Sequence, residues 1–161
     1  MTPQHDVAWL TEDEERAWRG WIESTMRIAS SIERDLRNDS DLTFDDYELL
    51  VSLSEADDRR LRMTELSAQT VQSASRLSQR VDRLTERGFV RREPCAEDRR
   101  GLFAVLTDEG FARLAAAAPC HVESVRRNLL DHLTPADLEV LAQLMPRLAA
   151  EARSDARPAD D

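Results

Sequence analysis

The 161-residue sequence contains no lysine, so all 22 of its basic side chains are arginines. It has only four glycines, which argues against glycine-rich phosphate loops and against all-β folds with many tight turns. No apolar run approaches the ~20 residues that span a bilayer, and the N-terminus lacks a signal-peptide pattern. We therefore expect a cytoplasmic protein with no membrane partner and with its two cysteines unpaired.

Motifs of catalysis and of metal binding are also missing. The sequence has no nucleophile elbow, zinc-protease helix, P-loop or paired-cysteine metal motif. His121 and His132 lie eleven residues apart, which is ~16 Å along a helix and too far to share a metal ion. His5 lies near the N-terminus. We therefore expect no enzymatic activity, no cofactor and no metal site.

The charge of the chain is unevenly distributed. The net charge is −10, which by itself disfavours nucleic acid as a partner. Residues 59–100, however, hold 11 arginines and six acids, a net charge of +5, whereas the rest of the chain carries −15. Chance clustering on a solvated face is the ordinary explanation for such a stretch, so the local structure has to decide.

The first part of the chain shows helical patterns. Thr11–Glu14 has the form of a capping box, and apolar residues then recur at three- and four-residue steps over 18–36, which predicts a helix of roughly 25 residues. Thr43 opens a second, shorter helix. Residues 55–62 are predicted to end that helix and form a loop, after which Thr64 caps a short third helix.

The basic stretch combines a helix with a hairpin. Ser73 is the predicted cap of a fourth helix that ends at Gly88. Two short strands, 89–92 and 102–106, follow and are joined by a polar loop over 93–101. This order of short helices and a β-hairpin is typical of a winged helix-turn-helix.

The last part of the chain is again helical. Thr107 caps a long fifth helix that is predicted to run to about His132 with an interruption at Pro119. Thr134 caps a sixth helix, which Pro146 is expected to kink or shorten.

These patterns predict a mainly α fold with a small β-hairpin wing. We expect an N-terminal dimerisation helix in residues 1–40 and a winged helix-turn-helix DNA-binding lobe in 41–106. C-terminal dimerisation helices are expected in 107–150, followed by a disordered tail in 151–161.

The predicted fourth helix has two chemically different sides. Ala74, Leu77, Val81 and Leu84 fall on one side and are expected to pack on the core. The first two turns of the other side carry hydroxyl, amide and guanidinium groups without a carboxylate, which suits contacts with base edges and phosphates. An ordinary surface helix with salt bridges is the alternative. The predicted DNA-contacting residues are Ser73, Ser75, Arg76, Gln79, Arg80 and Arg83.

The hairpin loop gives a second, independent indication. Asp98, Arg99 and Arg100 lie at its tip, where arginine can enter a narrow minor groove and the carboxylate can orient it. A solvent-exposed loop with a local ion pair is the alternative. A helix and a wing of this kind, both in the one basic stretch, favour DNA binding.

Several short motifs follow one another in this region: Leu66–Gln69, Ser73–Leu77, Val81–Leu84, Gly88–Arg91, Asp98–Arg100, and Leu106-Thr107 with Gly110. In this combination the sequence resembles the MarR-type transcriptional regulators. The resemblance implies an obligate homodimer, usually a repressor, on a pseudopalindromic operator. It also implies that Arg100 enters the minor groove and that Asp98 orients it. Two departures are Val71-Gln72, where the family often has glycine, and Pro119.

The resemblance also implies regulation by a small aromatic or anionic effector between the dimerisation helices and the DNA-binding lobe. Trp18, Trp21, Arg27 and His121 are candidates for lining its cavity, although tryptophans more often belong to a core. A thiol switch is conceivable at Cys95, which we expect to be exposed; two inert thiols are the alternative.

The sequence thus predicts a homodimeric regulator that binds double-stranded promoter DNA. The alternative is an acidic helical protein-protein interaction module whose hairpin is only structural.

Overall fold

The computed structural model describes residues 7–69, 73–95 and 101–154 of the chain. Within these ranges the elements are α1 (Glu12–Ser40), α2 (Phe44–Glu55), β1 (Arg60–Arg62), α3 (Met63–Gln69), α4 (Ala74–Glu86), β2 (Val90–Pro94), β3 (Leu102–Leu106), α5 (Asp108–Asn128) and α6 (Pro135–Ser154). Single 3₁₀ turns precede β1 and follow α5. The predicted winged, mainly α fold is confirmed.

Side-chain caps set the beginnings of the first two helices. The Thr11 hydroxyl accepts the backbone N–H of Glu14, and the Glu14 carboxylate accepts the N–H of Thr11. Thr43 and Asp46 form the same reciprocal pair at the start of α2. Both predicted caps are confirmed, and α1 continues for 29 residues, somewhat beyond the predicted length, until Asp41 adopts a left-handed conformation.

The hydrophobic core lies in the winged lobe and where it meets α5 and the end of α1. Only three residues of α1 are buried, all in its last nine positions, and no described side chain of α6 is buried. Most of the free energy of burial therefore holds the winged lobe together, and the outer helices project from it. The largest fully buried side chains include Leu36, Leu42, Leu49, Leu50, Leu53, Leu66, Leu77, Val81, Leu84 and Val90.

The sheet has one strand more than the sequence predicted. β1 lies in the stretch 55–62, predicted as a loop, and pairs antiparallel with β3 so that Leu61 faces Ala104. The strand order is β1-β3-β2. The Thr64 cap was also wrong: α3 begins at Met63, and the Glu65 carboxylate accepts the backbone N–H of Arg62.

Both interior prolines lie within continuous helices, so neither the interruption predicted at Pro119 nor a shortening at Pro146 occurs. Pro119 lies inside α5 and Pro146 inside α6. Each removes one backbone N–H, whose acceptor would be the carbonyl four residues earlier, at Ala115 and Ala142. These two residues and both prolines are exposed, so water can hydrate the released carbonyls. α6 also continues to Ser154, into the segment predicted as a disordered tail.

Candidate nucleic-acid interface

The fourth helix packs on the lobe by one side, much as predicted. Ser73 adopts an extended conformation, and its hydroxyl accepts the backbone N–H of Arg76. Leu77, Val81 and Leu84 are each at most 1% exposed. Ala74 is exposed, contrary to the prediction, because it lies in the first turn, at the edge of the packed surface. Packing along one side leaves the other side of α4 available to a partner.

That other side carries the predicted polar face. Its first turn contains no acid, so no carboxylate there would repel phosphate. Arg76 makes no side-chain hydrogen bond or ion pair with another described residue. The Arg83 guanidinium is 61% exposed and lies 3.9 Å from the Asp46 carboxylate. Ser73, Ser75, Arg76, Gln79 and Arg83 are all exposed.

Arg80, which was predicted to face DNA, points elsewhere. Its side chain is only 13% exposed and lies against the beginning of α2. One guanidinium nitrogen donates to Thr43 and Asp46, and the other donates to Asp45. The sequence placed Arg80 near the boundary between the two sides of the helix, and two carboxylates on α2 decide its direction.

The wing rises from the neighbouring strands β2 and β3. Its base is closed by a hydrogen bond from the Cys95 N–H to the Gly101 carbonyl, 2.9 Å long. Asp98, Arg99 and Arg100, the predicted contacts at its tip, lie outside the described residues, as does the Val71-Gln72 departure in the turn before α4.

Arg92 joins the wing to α4. Its guanidinium donates to the Ser78 carbonyl and hydroxyl and forms a 2.9 Å ion pair with Asp82. The Arg92 Nε is buried and has no hydrogen-bond partner among the residues that the structure describes. This contact was missed by the sequence analysis. The sequence signal was an arginine in the strand that follows α4, and the structure shows that its position is half-buried.

A tight junction connects the wing to α5. The Thr107 hydroxyl lies 2.7 Å from the Gly88 carbonyl and 3.1 Å from the Phe89 carbonyl, and it accepts the Gly110 N–H. Gly88 has a φ of +77°, which side chains rarely adopt. The Leu-Thr-x-x-Gly motif, Leu106 to Gly110, therefore forms the contact between the wing and the beginning of α5.

The candidate effector residues lie in different surroundings. Trp18 and Trp21, with ring centroids 5.5 Å apart, line an apolar groove of about 780 Å³ between α1 and α6. Arg27 pairs with Glu23 on the surface of α1. His121 stacks on Tyr47 at 4.3 Å, and burial lowers the pKa of its imidazole. One chain does not bring these four side chains into one cavity.

Neither cysteine has the surroundings of a reactive thiol. Cys95 is 5% exposed, which corrects the expectation of an exposed residue, since it packs at the base of the wing. Burial and the nearby acids Asp39 and Asp35 raise the pKa of the Cys120 thiol. In the described ranges no cluster of three or more histidine, cysteine or acidic side chains is arranged to hold a metal ion. The helices described there are too short or too polar to cross a membrane.

Comparison with known proteins decides which family this lobe represents. The sequence model of the MarR family matches residues 40–101. The chain is 42% identical to Sco3205 of Streptomyces coelicolor, a MarR family regulator solved in complex with DNA, over 96% of this chain and 97% of that one, with a TM-score of 0.90. The chain belongs to the MarR family. MarR proteins are transcriptional regulators, so the prediction of a regulator rather than an enzyme is confirmed.

Two further MarR relatives agree with this membership. AbsC of Streptomyces coelicolor is 44% identical over 92% of this chain and all of that chain, with a TM-score of 0.87. The transcriptional regulator HosA of Escherichia coli is 33% identical over 108 residues, 67% of this chain and 78% of its own. The match to the repressor YetL of Bacillus subtilis, at 32% identity, spans 64% of each chain, slightly less than two thirds.

Proposed function

We propose that this MarR protein is a cytoplasmic homodimeric repressor that binds a pseudopalindromic operator in promoter DNA. The observation that carries the proposal is the exposed, acid-free beginning of α4, which presents Ser75, Arg76 and Gln79 to solvent. Recognition helices place these N-terminal turns in the major groove. The DNA complex of Sco3205 supports DNA binding, and the name of YetL as a repressor supports repression.

The wing completes the proposed site. Arg92 holds β2 against α4, so the helix and the wing present their contacts as one unit. We propose that Arg100 enters the minor groove, that Asp98 orients it, and that Arg99 pairs with phosphate.

The proposed dimer accounts for the outer helices. α6 has 20 residues but no buried side chain in the described part, whereas most of the stability of a helix in a protein comes from the packing of its apolar face. Its exposed apolar side chains, together with Trp18 and Trp21, need a cover that a second copy would provide. Pairing along α1 and α6 would set two recognition helices about one DNA turn, ~34 Å, apart.

Release by a small aromatic or anionic effector is also proposed, but its site is not the predicted four-residue cavity of one chain. The groove beside Trp18 and Trp21 would be covered in the dimer. His121, which stacks on the buried Tyr47 away from that groove, is half-buried and is the predicted aromatic residue that a ligand could still reach.

Fluorescence anisotropy with labelled DNA from the upstream region of the protein's own gene tests the proposal. Several phosphate contacts predict that log K falls with log salt by about 0.9 per contact, and that unrelated DNA binds more weakly. An acidic protein-protein interaction module would bind neither DNA. Binding that ignores both the salt concentration and the DNA sequence would contradict the proposal.

A further inference from the structure

The Arg80 side chain makes the most complete polar contact between the recognition helix and another helix. Its Nη1 lies 2.9 Å from the Thr43 hydroxyl and 2.8 Å from the Asp46 carboxylate. Its Nη2 lies 2.6 Å from the Asp45 carboxylate. The Asp46 side chain is 7% exposed and that of Arg80 13%, so water screens this contact much less than an exposed ion pair. A planar guanidinium fork held by two carboxylates has a fixed direction.

The acceptors of Arg80 lie at the beginning of α2, which α1 also contacts. Thr43 and Asp46 are the two members of the α2 capping box. The next backbone N–H, that of Phe44, donates to the Glu33 carboxylate of α1. Polar contacts therefore run from α1 through the beginning of α2 to the middle of α4.

A second contact joins the far end of α4 to the same corner. The Arg87 guanidinium donates to the Asp41 carbonyl, 2.9 Å away, immediately after α1 ends. Arg80 and Arg87 are seven residues apart, so they hold α4 to this corner at two points, two turns apart.

We propose that Arg80 is a positioning residue for operator recognition: it fixes the angle of α4 relative to α1 and does not contact DNA. This inference rests on the proposed function, because the angle matters only if α4 reads an operator. In a dimer paired through α1, that angle also sets the distance between the two recognition helices. Gln79 and Arg83, beside Arg80 on the exposed side, would move with any rotation of α4.

A positioning role and a direct DNA contact predict opposite effects for one mild substitution. Asp45→Asn keeps the shape of the side chain, which is 51% exposed, and weakens its hold on Arg80. If Arg80 contacted phosphate, removing this competing carboxylate would strengthen DNA binding. If Arg80 positions α4, the same change weakens binding to the operator even though it removes a negative charge.

The test compares the parent protein with Arg80→Met, Arg80→Lys and Asp45→Asn on operator DNA, and on operators whose half-sites are moved by one base pair. Arg83→Met, which removes an exposed arginine one turn away, is the matched control. We expect Arg80→Met to weaken operator binding about 2- to 30-fold with an unchanged salt slope and to reduce the preference for the natural spacing. Arg80→Lys should restore part of the affinity, whereas Arg83→Met should lower the salt slope.

Three outcomes would overturn the inference. The first is a salt slope of operator binding that is lowered by about 0.9 in Arg80→Met. The second is tighter operator binding by Asp45→Asn. The third is an unchanged preference for the natural half-site spacing in both Arg80→Met and Asp45→Asn. Circular dichroism checks folding, and if Arg80→Met does not fold, Asp45→Asn decides by its sign. A parent protein that binds no DNA overturns the proposed function itself, whereas a parent that binds alongside unaffected variants overturns only the role of Arg80.

Discussion

At the scale of single residues, two glycines in long helices have opposite surroundings. A Cβ built on Gly110 would lie 2.8 Å from a Leu106 methyl carbon and far inside contact distance of the Phe89 carbonyl oxygen. Gly20, in α1, has no atom of the chain within 4 Å of the corresponding position. The first glycine therefore allows a close backbone approach between α5 and the wing, and the second has no such role.

Alanine substitutions at the two glycines should shift stability in opposite directions. Gly110→Ala forces the wing away from α5, so we expect a loss of about 1–3 kcal/mol. Gly20→Ala should raise stability by up to about 1 kcal/mol, because alanine favours the helix. Urea unfolding followed by circular dichroism measures both. Equal stability of Gly110→Ala and the parent would contradict the tight junction seen at Phe89.

Asp35 is a second residue whose surroundings have a measurable consequence. Its carboxylate accepts a 2.6 Å hydrogen bond from Ser124 and lies 2.5 Å from the Arg127 guanidinium, which joins α1 to α5. The Ser124 hydrogen bond lowers the pKa of Asp35, burial acts against it, and the charge of Arg127 lowers it further. Because the folded-state pKa is below the unfolded value, the ionised group stabilises the fold above about pH 4.

The effect of Asp35→Asn should therefore depend on pH. At pH 7 we expect a lower Tm than that of the parent protein, since the charged acceptor is lost. The difference should shrink as the pH falls below about 4, because Asp35 of the parent then becomes protonated as well. Thermal unfolding at pH 7, 5 and 3 measures it. Asp13→Asn, at an exposed ion pair with Arg16, is the control and should change little at any pH.

At the scale of elements, we expect different residues on the exposed face of α4 to recognise bases and to bind phosphates. Gln79 is exposed between the two arginines of this face, and an amide can bond adenine through N6 and N7. Gln79→Ala should lose about 1–3 kcal/mol of discrimination at one base pair and keep the salt slope. Anisotropy titrations on the operator and its single-base variants measure this. An unchanged base preference would place Gln79 outside the interface.

The helices were largely predictable from the sequence because their caps and apolar stripes are local signals. Thr11, Thr43, Ser73 and Thr107 all cap the helices expected from them. β1 was not predictable, since three residues with one apolar side chain form a strand only because β3 offers a free edge.

The candidate site divides in the same way. The exposed face of α4 follows from helical periodicity. The direction of Arg80, in contrast, depends on Asp45, 35 residues earlier in the chain, and that of Arg92 depends on Ser78 of α4. A single sequence gives no sign of which carboxylate or carbonyl will reach an arginine at the edge of a helix face. Tertiary contacts therefore decide which arginines are left for DNA.

At the scale of the whole molecule, charge and apolar surface are separated along the chain. The net charge of +5 over residues 59–100 lies in the part of the lobe that carries α4 and the wing. Of the remaining −15, residues 41–58, which include α2, carry −7, whereas α1, α5 and α6 together carry −4. The acidic stretch around α2 disfavours contact with phosphate, so DNA is favoured only at the arginine-rich stretch 59–100. Apolar surface shows the complementary arrangement, since most of the exposed large apolar side chains belong to α1, α6 and the segment before α1.

A charge placed in the apolar groove should therefore separate the subunits of the proposed dimer without unfolding the lobe. Leu148 lines the groove beside Trp18 and Trp21, and in a dimer Leu148→Glu would bury an unpaired carboxylate. We expect sedimentation velocity to show a monomer and operator binding to fall at least tenfold, because one half-site then binds alone. Ala150→Glu introduces the same charge on the opposite side of α6 and should leave both measurements unchanged. If Leu148→Glu still sediments as a dimer, the subunits pair through another surface, and the spacing of the two recognition helices is set elsewhere.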